Sequence, residues 1–101
     1  MSTDSSATVH RFRVDAAHPC LPGHFPGHPL VPAVVLMEEV AHVVRELHGL
    51  RVARIVDAKF LAPLAPGTEA EVRLDGAPPV CRFEVRTASG VLARGRVAVS
   101  A

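Results

Sequence analysis

The sequence predicts an α+β domain in which one buried helix packs against a five-stranded, mainly antiparallel sheet. Three observations predict it. One stretch, Ala33 to His48, is apolar almost all round and contains neither Pro nor Gly. Five other stretches alternate apolar with polar residues or are rich in β-branched ones. Turn-forming residues separate the last four of these, which favours short connections and antiparallel neighbours.

The elements follow in chain order. Residues 1–7, MSTDSSA, are small and polar and are expected to form a flexible N-terminal tail. The domain proper runs from 8 to 101. Thr8 to Ala16 alternates, with His10, Phe12 and Val14 on one face and Arg11 and Arg13 on the other, as in a half-buried strand. His18 to Pro32 holds five prolines and two glycines, which excludes helix and central strand and predicts a long ordered loop. Pro32 suits the first position of a helix, because the N–H it lacks would have no acceptor there. The helix should run to His48 and stop at Gly49, with Arg45 and His48 favourable near its negative end.

Strand follows from there on. Val52 to Leu61 is expected to turn Val56, Ala58 and Phe60 to one face, and it ends at Pro63 and the Pro66-Gly67 turn. Glu69 to Leu74 points Ala70, Val72 and Leu74 inward. A turn through Asp75-Gly76 and Pro78-Pro79 leads to Val80–Thr87, with Cys81, Phe83 and Val85 inward. Ser89-Gly90 makes a hairpin into Val91–Val99, whose polar face carries Arg94 and Arg96. A sheet this small has edges to protect, and pairing one with a second copy would also cover the helix start, so a dimer is expected.

Composition narrows the function. The 101 residues make one domain, and 49% hydrophobic content excludes global disorder. No apolar run approaches the roughly 18 residues of a membrane span, and no signal peptide opens the chain, so the expected compartment is the cytoplasm. A formal charge of +1, with no Trp or Tyr to stack bases, gives no case for nucleic acid. Cys20 and Cys81 read as inert free thiols rather than a disulfide framework. His18, Cys20, His24 and His28 have a spacing that matches no standard zinc knuckle, so no metal is expected.

One constellation carries chemistry. His24 sits in a loop stiffened by proline, and Glu38 follows fourteen residues later in the second turn of the helix. A carboxyl set in an apolar helix face loses water, which favours its protonated form. A neutral imidazole beside a protonated carboxyl is an acid/base pair for neutral pH. Backbone N–H groups around Ala33, at the positive helix end, are placed to receive a developing oxyanion. Base, acid and oxyanion donor suit proton abstraction next to a carbonyl, followed by loss of a β-hydroxyl. Glu39 is read as a solvated or interface charge.

The segment Gly23–Val43, GHFPGHPLVPAVVLMEEVAHV, resembles the active-site segment of the FabZ/FabA-type 3-hydroxyacyl-[acyl-carrier-protein] dehydratases. Lys59–Gly67, KFLAPLAPG, is similar to a second motif of that family. The compact length looks most like the FabZ-like dehydratases of aryl-polyene and other polyketide-type clusters. The resemblance implies the hotdog fold, a hydro-lyase reaction giving the trans-2-enoyl thioester, and no cofactor besides the phosphopantetheine arm of an acyl carrier protein. It implies that His24 removes the C2 proton, that the Ala33 N–H stabilises the enolate, and that Glu38 protonates the departing hydroxyl. It also implies a substrate tunnel walled by Phe25, Pro32 and Phe60, and a homodimer, or a heterodimer with a related hotdog subunit, as the catalytic unit. Two residues depart from the family pattern. Ala33 stands where the family has Gly, and His42 where it has Gln, one turn after Glu38 and placed to pair with it. Two other readings remain at this point, a non-catalytic hotdog subunit that supports a partner dehydratase and a hotdog thioesterase.

Overall fold

The computed structural model describes residues 8–15 and 31–101. The expected tail and most of the Pro-rich loop lie outside these residues, and with them His18, Cys20, His24, Phe25 and His28. The described residues form six elements: β1 Thr8–Arg13, α1 Ala33–His48, β2 Arg51–Phe60, β3 Glu69–Ala77, β4 Val80–Thr87 and β5 Gly90–Ser100. The strands form one sheet in the order β1-β3-β4-β5-β2, and every pairing is antiparallel. Among the described residues no helix is long and apolar enough to cross a membrane.

The core is a single cluster between α1 and the inner face of the sheet. The helix supplies Val35, Leu36, Val40, Val43 and Val44, spaced at the three- and four-residue intervals that keep one face turned to the sheet. Each such buried side chain contributes about 1.5–3 kcal/mol. The strands answer with Ala70, Val72 and Leu74 from β3, Cys81, Phe83 and Val85 from β4, and Leu92, Ala93, Val97 and Val99 from β5. The alternation read in β3 and β4 is therefore the observed one. At the helix end Gly49 adopts φ 66°, and its N–H donates to the Arg45 carbonyl at 2.9 Å. A side chain there would be strained, which is why the helix stops at this glycine.

Several expectations are corrected. Pro32 is extended, with ψ 150°, and caps the helix from outside, so Ala33 is the first helical residue. The helix is also not covered all round, since Val34 is 61% and Leu47 43% exposed. β3 continues to Ala77 and turns at Pro78-Pro79, and the next hairpin turns at Ala88-Ser89 with Gly90 opening β5. The largest correction concerns β2. Its register against β5 shifts twice, between Val52 and Arg54 and between Ile55 and Asp57. These bulges throw the alternation out of phase. Ile55, opposite buried Val97, takes the inward position expected of Val56. Phe60 does face the helix side, opposite buried Ala93, yet Ile55 and Phe60 remain 47% and 46% exposed. The helix leaves these two side chains of the edge strand about half uncovered.

Candidate active site

The site is built where the helix starts and β2 ends. Two hydrogen bonds hold the chain that leaves β2: the Leu61 N–H donates to the Leu92 carbonyl at 2.7 Å, and the Ala62 N–H to the same oxygen at 3.3 Å. One carbonyl oxygen can receive both because it carries two lone pairs; toward β4, Leu92 sits at a bulge, where the β4–β5 register shifts between Val85 and Arg86. Leu64 then buries its side chain completely, and its carbonyl accepts from the Val31 N–H at 2.8 Å. That bond ties the helix entry to the segment after β2. Between them lies a cleft of about 330 Å³, lined by Val31, Ala33, Leu36, Phe60 and residues 61–64.

Every residue lining this cleft is apolar, so it suits an alkyl or aryl chain and offers little to a polar ligand. The Ala33 N–H at its helical side is one of those a helix start leaves without an intrahelical acceptor. Partial positive charge at that end adds to the attraction for an oxyanion.

The structure brings together part of the residue set read from sequence. Ala33 and Phe60 share the cleft, whereas Pro32, expected in the tunnel, does not line it. His24 and Phe25 lie outside the described residues. Glu38 is on the helix but exposed, with no hydrogen bond or ion pair among the described residues. The expected loss of water around it is therefore not supplied by the described residues. His42 does not pair with Glu38. Its ring lies instead against His10 of β1, centroids 5.4 Å apart at 56°. His10 Nε2 is in turn 3.9 Å from Glu39 Oε1, so Glu39, read as a solvated or interface charge, faces a side chain of its own chain. Only the alternation that put His10 on the inner face of β1 hinted at this trio. Leu36, Leu61 and Leu64 were missed as cleft walls, although the last two lie within the Lys59–Gly67 motif.

Cys81 is enclosed in the core, and burial, with a smaller push from the Asp75 charge, raises its thiol above the ordinary value. That matches the inert thiol expected. Among the described residues no group of three or more His, Cys, Asp or Glu side chains is arranged to hold a metal ion.

One helix on a five-stranded antiparallel sheet of this order defines the hotdog class. The same fold is found in a chain of the dehydratase heterocomplex ApeI:P from Xenorhabdus doucetiae, with a TM-score of 0.84 at 21% identity over 99% of this chain and 93% of that one. The chain belongs to the ApeI-like family, described as ApeI dehydratase, whose sequence profile matches residues 1–96. It is 32% identical over 71 residues to the 3-hydroxyacyl-[acyl-carrier-protein] dehydratase FabZ of Haemophilus influenzae, covering 60% of this chain and 48% of that protein. It thus spans about half the length of the curated relatives it matches. A pyran synthase domain of the sorangicin pathway matches with a TM-score of 0.74 at 29% identity, over 97% of this chain and 36% of that one.

Proposed function

We propose that the protein dehydrates 3-hydroxyacyl thioesters to trans-2-enoyl thioesters in fatty-acid or polyene- and polyketide-type biosynthesis. The observation that carries this reading is the apolar cleft at the helix start, with the Ala33 N–H on one side and Phe60 on the other, in a chain of the ApeI-like family. The acyl chain occupies the cleft, and the thioester carbonyl lies against the Ala33 N–H. His24 takes the C2 proton. The carbonyl oxygen gains negative charge as the enolate forms, and the helix end stabilises it. The electron pair returns, the C3–O bond breaks, and Glu38 gives its proton to the leaving hydroxyl as water. The acyl group arrives on the phosphopantetheine of an acyl carrier protein, and no metal or resident cofactor takes part.

The working unit in this reading is a dimer. β2 is a ten-residue edge strand, and Ile55, Phe60, Leu61 and Val34 around it are exposed apolar side chains. A second hotdog chain, identical or related, paired along β2 covers them and supplies apolar surroundings for Glu38.

The test is mass spectrometry of 3-hydroxyacyl carrier proteins, aliphatic and aryl, incubated with the purified protein. Loss of one water from the acyl group is expected. His24→Ala and Glu38→Gln should each slow it about 10²–10⁴-fold, the range for removal of a general acid or base. Undiminished turnover in both variants refutes the mechanism, and a free acid product identifies a thioesterase instead.

A further inference from the structure

The proposed mechanism leaves one cluster of titratable side chains unused, on the helix face toward β1 and one turn from the proposed acid. His10 of β1 and His42 of α1 lie ring against ring, with centroids 5.4 Å apart at 56°. His10 Nε2 is 3.9 Å from Glu39 Oε1, which is ion-pair distance once the ring takes a proton. Among the described residues no carboxylate lies as close to the His42 ring. Glu38 precedes His42 by four residues, so the two are neighbours on the helix surface, with Cβ atoms about 5–6 Å apart. The other charges around His42 decide little. Arg45 and Glu46 follow it by three and four residues, and their opposite signs largely offset each other there. β3, the neighbour of β1, turns only Ala70, Val72 and Leu74 to this side. Arg11 and Arg13 alternate onto the other face of β1.

These positions decide where a proton goes. Only His10 has a carboxylate within ion-pair distance, so the first proton to enter the pair of rings belongs to His10. Once charged, His10 opposes a second charge on the ring beside it. His42 therefore stays neutral while His10 carries the charge. Glu38 feels the difference. Paired with a second hotdog chain as proposed above, Glu38 gains apolar surroundings that favour its protonated form, and it then competes with His42 for one proton. A cation on His42 favours the ionised carboxylate one turn before it, and an ionised Glu38 has no proton to give the leaving hydroxyl. With the charge held on β1, the carboxyl keeps its proton until the C3–O bond breaks.

We propose that His10 and Glu39 hold the positive charge of this cluster on β1, and so keep His42 neutral and Glu38 protonated for the reaction. They are positioning residues, since they place a proton and touch no substrate. The proposal rests on the dehydratase reading, and its test separates the two. NMR of the dimeric protein follows the imidazole nitrogens of His10 and His42 and the Glu38 carboxyl carbon as pH is lowered. His10 is expected to take a proton before His42. In His10→Phe and in Glu39→Gln the His42 ring is expected to take it earlier than in the native protein, and the Glu38 carboxyl to ionise about 0.3–0.7 pH unit lower. Turnover of a 3-hydroxyacyl thioester should fall about two- to fivefold in both variants where histidine titrates, at about pH 6.5, and by less at higher pH, where His42 is neutral in any case. In His10→Phe/His42→Gln the amide cannot take a proton, so the carboxyl titration and the turnover should both recover, which they would not do if His10 served packing alone. Arg11→Ala, on the other face of β1, should change neither. His42 taking a proton before or together with His10 overturns the proposal, as does a Glu38 titration unmoved by His10→Phe, or no recovery in the double variant. A native protein that turns over no 3-hydroxyacyl thioester overturns the dehydratase reading, and the NMR titration still decides where the charge is held.

Discussion

Among the described glycines, Gly95 is the one with least room for a side chain. It pairs with Ala58 of β2 and with Phe83 of β4, close to the bulge that bends β2. A Cβ built on Gly95 would meet the Asp57 carbonyl oxygen, and would lie 2.8 Å from Ala58 Cα and 2.9 Å from Phe83 Cε2. Two of these three neighbours are backbone and cannot swing aside, and the third is a ring held in the core. Overpacking of a filled site costs about 1–3 kcal/mol, and fixed neighbours put Gly95→Ala near the upper end, about 3 kcal/mol. For a domain of this size each kcal/mol lowers Tm by about 4–8 °C, so a fall of roughly 12–24 °C is expected. The assay is thermal and urea unfolding followed by circular dichroism, at one fixed protein concentration because dimer stability depends on it. Turnover should fall as well, since relief of the clash moves β2 and with it Phe60. A Tm within about 3 °C of the native value would refute the close approach of β2 and β5, and with it the placing of the cleft wall.

Other expectations concern the helix and the outer face. Val44→Ala removes two fully buried methyl groups and should cost about 2–3 kcal/mol in urea unfolding. Val34→Ala, at a side chain 61% exposed in the single chain, should shift that unfolding by under about 0.5 kcal/mol while raising the dimer dissociation constant measured by analytical ultracentrifugation. Chiefly through the side-chain hydrogen bond from Arg96, Asp57 is held below its ordinary carboxylate value. Its stabilising effect is thus complete above that ordinary value and is lost as pH falls through the lowered one. The stability difference between native protein and Arg96→Ala should therefore be present at neutral pH, disappear on acidification, and shrink in high salt.

Much of this architecture was legible because punctuation and period agreed. Gly49 ends the helix as read, and the inward sets of β3 and β4 are those that alternation predicts. β2 was misread because a bulge is a property of two strands. Nothing in Arg51–Phe60 alone says that β5 will skip a partner at Val56. The same limit explains Glu38. Its apolar neighbours along the chain imply a dry setting, but those neighbours face the sheet while Glu38 faces outward. The contact between His10 and His42 joins residues far apart in sequence, and no spacing rule reaches across that distance. The sequence pointed to Ala33 as an oxyanion donor and to Phe60 as a tunnel wall without showing that the Leu92 carbonyl, at a bulge in β5, holds the segment after β2 in place.

That bulge has a consequence for how such chains diverge. Leu92 is one residue more than regular pairing with β4 needs, and its carbonyl anchors the strip that floors the cleft. A one-residue deletion there would mend the ladder and leave the core composition nearly intact. It would also release Leu61 and Ala62 from their acceptor. Lineages that gain or lose a residue near the start of β5 can thus retune the depth of the pocket without substituting any side chain that touches its contents.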